Sequence, residues 1–398
     1  MRLYRRRHGR DFWGMAKVVL ASYNVENLFA RPKAFDATDP EAGAPVLAAY
    51  TEFNKLIAAP EYTDEDRTRM RELLVTLDIY AVNVAGAVRR KQSTTPKWAW
   101  LRKNRGTFDR EPRDATKDIE IIAKGRADWI GWVELATEAV DELGTRNTAR
   151  VIGDIDADVL AVIEVEDRPS LVRLNQELLG GRYEHVMLVD GNDDRGIDVG
   201  IMTKKGFEIE SIRSNVDLKD REGPVFSRDC AQYEIRTPSG ELVHLLVNHF
   251  KSQSGGGATK RRRQAREVRR IADELVAAGK NVVVLGDLNE GQPSLTKPAT
   301  NLKVLFDPDG PLVSCYELPG FDPGPRPGTF DACGIRNRLD YMLVSRSLQP
   351  RFTSGHLFRK GLWGTRTTRP TDWETYEEMT NHDQQASDHA AIVVELDL

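Results

Sequence analysis

Short segments of this chain collect oxygen and nitrogen donors of the kind that handle phosphate. ASYNVENLF places Asn24 and Glu26 at the end of an apolar run, and DVLAVIEVED does the same with Glu164. VVVLGDLNE ends in Asp287 and Asn289, while RLDYMLVS and ASDHAAIVVEL supply Asp340, Asp388 and His389. Mg²⁺ takes hard oxygen ligands in octahedral geometry and keeps several waters. Two carboxylates and substrate oxygens would suffice, so Glu26 and Glu164 are the first ligand candidates. A metal held there would polarise phosphorus and stabilise the charge that develops on its oxygens. The amides of Asn24 and Asn289 could donate to phosphate without adding negative charge. Asp287 could orient or deprotonate a water. His389 could hold a phosphate or pass a proton, provided a carboxylate fixes its ring.

Each acid alone reads equally well as a turn or capping residue. Their joint placement argues otherwise, because the elements that carry them are strands. Lys17–Tyr23, Val159–Val165, Glu184–Val189, Asp198–Thr203, Gln232–Arg236, Glu241–Asn248, Asn281–Gly286, Leu339–Val344 and Ala390–Leu396 all have β character. Asn24, Glu164, Asn248, Asp287 and Asp388 fall at or just beyond strand ends, where a rigid sheet positions loop chemistry. Helices are fewer. Arg261–Val276 has apolar residues at helical spacing, and Thr148–Ile155 reads as a short helix. Thr63 followed by Asp66 resembles a capping box that opens a helix through Leu77.

The segment 31–137 departs from this pattern. It is richer in helix formers and charge, and reads as a helical insertion within a single domain spanning 17–398. Its Trp98, Trp100, Trp129 and Trp132 suit a local core, or else base stacking or partner docking. Residues 1–16 are basic and read as a disordered extension. They lack a signal-peptide core, and no apolar run approaches the roughly 20 residues that span a bilayer. Cys230, Cys315 and Cys333 are scattered, against both a disulfide framework and a zinc site. Those features point to a cytoplasmic protein without a membrane span. Net charge is −4, from 57 basic and 61 acidic residues, so attraction to phosphate must come from local patches.

Taken in order, NVEN, the Glu of VLAVIE, GDLN, RLDYMLVS and SDH resemble the superfamily of abasic-site endonucleases, pancreatic-type DNases, sphingomyelinases and inositol polyphosphate phosphatases. The resemblance covers Val18–Phe29 and about 148 onward, not the insertion. It implies an α/β fold, a four-layer sandwich of two mixed β-sheets flanked by helices. It implies that Glu164 is the principal Mg²⁺ ligand, with Mn²⁺ as a possible substitute. Glu26 and Asp388 would be further metal ligands. Asn24 would contact the scissile phosphate, Asp287 and Asn289 would position water and phosphate, and Asp340 would orient His389.

LLVNHFKSQSGGG adds His249 and Lys251, as in bacterial nucleases with an NHxKS segment. His249 could protonate a leaving oxygen, with Asp198 orienting it and Arg195 touching a phosphate. It could equally be a buried hydrogen-bonding residue. The following run, TKRRRQAREVRR, clusters Lys260, Arg261, Arg262, Arg263, Arg266, Arg269 and Arg270. It is either a solvated helix face or a track for a polyanionic backbone. Phe358, Trp363, Trp373 and Tyr376 would overhang the site or pack a loop down. Together these favour a nuclease acting on DNA or RNA. The alternatives are a phosphodiesterase or phosphatase for a lipid headgroup, inositol phosphate or nucleotide, and a non-catalytic binding module. Nothing in the sequence names a protein partner.

Overall fold

The computed structural model describes residues 16–28, 40–91, 97–136, 143–193, 196–253, 257–365 and 371–398. The basic segment 1–15 lies outside them. Residues 30–139 form one compact unit, and residues 1–29 with 140–398 form another.

The larger unit holds two mixed sheets. One has seven strands in the spatial order Phe321–Asp322, Phe352–Phe358, Ala391–Asp397, Lys17–Leu28, Val159–Val165, Asp198–Thr203 and His185–Val189. The other has six, in the order Glu208–Arg213, Cys230–Arg236, Leu242–His249, Asn281–Asp287, Asp340–Ser345 and Leu312–Ser314. A parallel pair lies near the middle of each: 17–28 with 159–165, and 242–249 with 281–287. Their flanking strands run antiparallel.

The run VLAVIEV is buried on both faces over almost its whole length. A strand in that position needs cover on each side, and successive residues supply it. Val159, Ala161 and Ile163 face a core shared with Leu245, Val247, Val283 and Leu285 of the other sheet. Leu160 and Val162 face Val151, Ile152 and Leu171 on the outer helices. On the far side Ala265, Val268 and Ala272 of the helix Ala258–Ala277 pack on Leu246, Val282 and Val284. The order is therefore helices, sheet, sheet, helices. Trp363 and Tyr376 belong to the outer core, and the Tyr376 hydroxyl donates to Asp154 Oδ2 at 2.9 Å. Those aromatics pack their loop down.

The 30–139 unit contains the helices Pro40–Ile57 and Asp64–Thr76. The capping box is present: Thr63 Oγ1 accepts the Asp66 N–H, and the Asp66 carboxylate accepts the Thr63 N–H. Met70, Leu73, Leu74 and Leu77 are buried, with Phe53, Phe108 and Trp129 around them. Beyond the expected helices, the unit holds strand pairs 80–82/88–90, 99–105/130–135 and 109–110/120–121. Those strands are too short, and too mixed in sequence, to give an alternating signal. Among the described residues, no helix is long and apolar enough to cross a membrane.

Candidate active site

Two parallel strands finish at the same edge of a sheet, and an antiparallel neighbour begins there. That rule gathers the donors. The 17–28 and 159–165 strands carry Asn24, Glu26 and Glu164 toward their ends. His249 and Asp287 are register partners at the ends of the other parallel pair. Asp340 starts the antiparallel strand opposite Asp287, and Asp388 and His389 directly precede the strand 391–397, which pairs with 17–28. Backbone strain marks the same edge. Glu26, Glu164 and Asn289 have φ of 49°, 66° and 54°, the left-handed region that side chains disfavour. Such strain persists where the surroundings over-determine it, commonly at functional sites.

Glu164, His249 and Asp287 offer ligand atoms that all lie within 4.8 Å of one another. His249 Nε2 is 3.3 Å from Glu164 Oε1 and 3.6 Å from Asp287 Oδ2. Asp287 is held by N–H donors: Asn289 N at 2.8 Å, Asn289 Nδ2 at 2.9 Å and Asn24 Nδ2 at 3.3 Å. Asn289 spends its second amide hydrogen on the Phe250 carbonyl at 3.2 Å. An amide has only two such hydrogens, so here Asn289 positions Asp287 and has none left for a phosphate. Glu26 accepts from Gln385 Nε2 at 3.1 Å, and its N–H donates to Asn24 Oδ1 at 3.0 Å. The expected ligand set was Glu26, Glu164 and Asp388. Geometry groups Glu164 with His249 and Asp287, and sets Glu26 beside Asp388.

The electrostatics ask for a counter-charge. Burial, then the nearby Asp340 carboxylate, pushes Asp287 up to about 8. Burial, then Asp388, pushes Glu26 up to about 7. Glu164 and Asp388 also rise, chiefly through burial. Ionised carboxylates packed this closely are costly unless neutralised. Carboxylate oxygens with one imidazole are a donor set that a hard divalent cation accepts, so the residues fit such an ion.

His389 Nδ1 lies 2.7 Å from Asp340 Oδ2. Burial alone would lower the imidazole, but Asp340, Asp388 and Asp287 outweigh it and hold it well above its usual value. The His389 backbone N–H donates to Ser387 Oγ at 3.0 Å, and that hydroxyl donates to the Asn24 carbonyl at 2.6 Å. The histidine loop is thereby tied to the first strand. The Phe330 ring, 5.0 Å from the imidazole, flanks it.

Arg228, within SRDCAQY, carries no sequence signal, yet it is only 1% exposed. Its Nη2 lies 3.4 Å from His249 Nε2, its Nη1 donates to the Phe250 carbonyl at 3.4 Å, and its Nε is 3.2 Å from Asp193 Oδ2. Asp198 accepts the Gly191 N–H at 2.7 Å, bracing the loop before its strand. Burial, then Asp190 and Asp193 against that hydrogen bond, brings Asp198 to about 6. Arg195 lies outside the described residues.

The basic helix corrects an expectation. Arg261 is buried and employed: Nε donates to Glu290 Oε2 at 2.9 Å, and Nη1 to the carbonyls of Lys251 and Ser252 at 3.1 and 3.0 Å. It joins the loop after His249 to the loop after Asp287, and is a clamp instead of a substrate contact. Asp220 pairs with Arg263, Asp273 and Asp307 with Arg269, and Glu267 and Glu274 with Arg270. Arg262 and Arg266 are exposed, and among the described residues neither has an acidic partner. Arg261→Gln should lower stability by about 3–5 kcal/mol, because Glu290 stays buried without its counter-charge. It should also slow turnover by loosening both loops. Arg262→Gln should change neither quantity. Denaturant melts and steady-state rates check this; equal effects at both positions would refute the clamp.

Comparison with known proteins follows from this geometry. Residues 104–307 match the Endonuclease/Exonuclease/phosphatase family. An endonuclease/exonuclease/phosphatase family protein from Bacteroides thetaiotaomicron is similar over 96% of this chain and 97% of its own, with 15% identity and a TM-score of 0.50. The endonuclease/exonuclease/phosphatase from Bacteroides vulgatus is similar over 64% of this chain and 90% of its own, at 16% identity and a TM-score of 0.47. A mannosyl-6-phosphatase of Bacteroides thetaiotaomicron is similar over 64% and 91%, at 18% identity and a TM-score of 0.47. No curated protein matches the chain.

Proposed function

Since the chain belongs to the endonuclease/exonuclease/phosphatase family, we propose that this phosphoesterase is a divalent-metal-dependent phosphodiesterase that cleaves nucleic acid, with Mg²⁺ its ion and Mn²⁺ a substitute. The carrying observation is the Glu164–His249–Asp287 cluster, with the Arg228 guanidinium 3.4 Å from His249. A bound cation supplies polarisation of the phosphoryl oxygens and stabilises their developing charge. Asp287, fixed by Asn24 and Asn289, takes a proton from the attacking water. His389, held charged by Asp340, faces the phosphate. His249 would help to hold the cation, and His389 gives a proton to the departing oxygen as the P–O bond breaks.

The polymer preference rests on Arg228, Lys251 and Lys260. Arg228 touches His249. Lys251 lies two residues beyond that histidine, and Lys260 is in the first turn of the 258–277 helix. Burial, then the charges of Arg263, Lys251 and Arg228, lowers the Lys260 amine. Cations crowded in this way favour a polyanion. One observation supports a second reading, a phosphatase of small substrates: most arginines of the helix are already satisfied by acids.

Metal-loaded protein assayed on single-stranded DNA, duplex DNA, RNA and a chromogenic diester tests the proposal. Chelator-sensitive cleavage of a polymer is the expected result. Lys251→Gln with Lys260→Gln should raise KM on the polymer and reduce its salt slope by about 1.4–1.8. The small diester should respond far less. Release of phosphate from monoesters with no polymer cleavage would support the second reading and overturn the first.

A further inference from the structure

We propose that the 30–139 unit carries a stacking platform for single-stranded nucleic acid on the outward face of its 99–105/130–135 strand pair. The pair is antiparallel, and among the described residues neither strand has another neighbour. One face is core: Ala99 and Val133 are buried there, and the Trp129 ring fills the space that a side chain at Gly131 would need. Strand alternation turns Trp100, Arg102, Trp132 and Glu134 to the other face, together with the partly exposed Ile130 at the strand's start.

Those residues are arranged as opposite pairs, Trp100 with Glu134 and Arg102 with Trp132. The Arg102 guanidinium lies over the Trp100 ring at 4.8 Å and bonds both Glu134 oxygens, at 3.0 and 3.1 Å. Arg102 is therefore pinned and Glu134 neutralised. Trp132 has no ring partner among the described residues and is 45% exposed. An indole left open to water is costly unless something covers it.

Charge identifies the occupant. Arg105, past the bulge that follows Lys103, pairs with Ile130 on the Trp132 face and has no acidic partner among the described residues, whereas Lys97 and Lys103 alternate to the other face. The only acid of the second strand, Glu134, is already taken. An open indole beside an unmatched cation suits a base that stacks while its phosphate meets Arg105. A protein partner would find little apolar area here. A duplex keeps its base faces covered, so the platform selects single strands. At about 3.4 Å per residue, the longer strand spans about 24 Å, enough for roughly four nucleotides.

The test uses the full chain with chelator present, so that nothing is cleaved, and a fluorescent oligothymidine or a duplex of equal length. Trp132→Ala should weaken single-strand binding about tenfold with duplex binding unchanged, and Trp132→Phe should restore most of the loss. Arg105→Gln should lower the single-strand salt slope by about 0.7. Unchanged single-strand affinity in Trp132→Ala, an equal loss on duplex, or no oligonucleotide binding by the parent protein would each overturn the platform. The result is separable from the hydrolytic reading. A Trp132 effect in a protein that cleaves no nucleic acid would keep the platform and remove the nuclease. Polymer cleavage with no Trp132 effect would do the reverse.

Discussion

Glu164→Gln should cut hydrolysis by about a thousandfold or more without weakening the fold. A metal supplies several kcal/mol of transition-state stabilisation, and each 1.36 kcal/mol is tenfold in rate. Without the cation, burial raises the Glu164 carboxyl, so an uncharged glutamine of the same shape should cost the fold little. The melting temperature of the chelated variant should equal or exceed that of the parent. Asp287 at about 8 and Glu26 at about 7 lie far above their unfolded values of about 4. Between those values the folded chain holds protons that the unfolded chain has lost. The stability they contribute is full at low pH and drains away as pH rises through 7 and 8. Chelated parent protein should therefore melt higher at pH 6 than at pH 8. A cation competes with the same protons, so its stabilising effect should grow over that interval. In Glu164→Gln the cation effect should collapse. A metal-induced shift that is equal at both pH values, or intact in the variant, would sink the site.

Loss of His389 or Asp340 should show that the two act as one unit. His389→Ala should cost about a thousandfold, within the range for a positioned proton donor. Asp340→Asn should cost about a hundredfold, as for a group that orients another. The double variant should be no worse than His389→Ala alone, because the Asp340 contribution passes through the ring. A merely structural Asp340 predicts the product of the two losses. The pH profile gives a second readout. Burial lowers His389 and carboxylates raise it, Asp340 the foremost of them. Without Asp340 the imidazole should lose its proton at lower pH, and the alkaline limb of the rate profile should move toward acid. An unmoved limb would argue against His389 acting in its charged form.

Much of this arrangement is legible in the sequence because its strands are buried on two faces. An apolar run such as VLAVIEV that stops at Glu164 announces both the strand and an anomaly at its end. The same logic exposes Asp287 and Asp340. What stays hidden depends on distant partners. Arg228 follows a serine in an unremarkable stretch, and only folding brings it to His249, 21 residues on. Arg261 sits in a run of arginines that looks like solvated surface, yet it is buried against Glu290 from another loop. Local composition describes the run as a whole and cannot say which member turns inward. The strands 208–213 and 352–358 are not legible in the sequence for a related reason. The first is largely exposed, and the second has a glycine and polar residues at partly buried positions, so neither shows clean alternation.

The strand 391–397 has a consequence for how the chain is made. It lies inside its sheet, between 352–358 and 17–28, and Lys17 pairs with Asp397. During synthesis the flank of 17–28 that it covers has no partner until residue 397 is translated. Pairings of such long sequence separation form slowly, and an uncovered strand edge invites pairing with other chains meanwhile. His389, two residues before that strand, arrives just ahead of it. The nascent chain thus passes through a period when most of the core exists but the sheet is open and the catalytic edge incomplete.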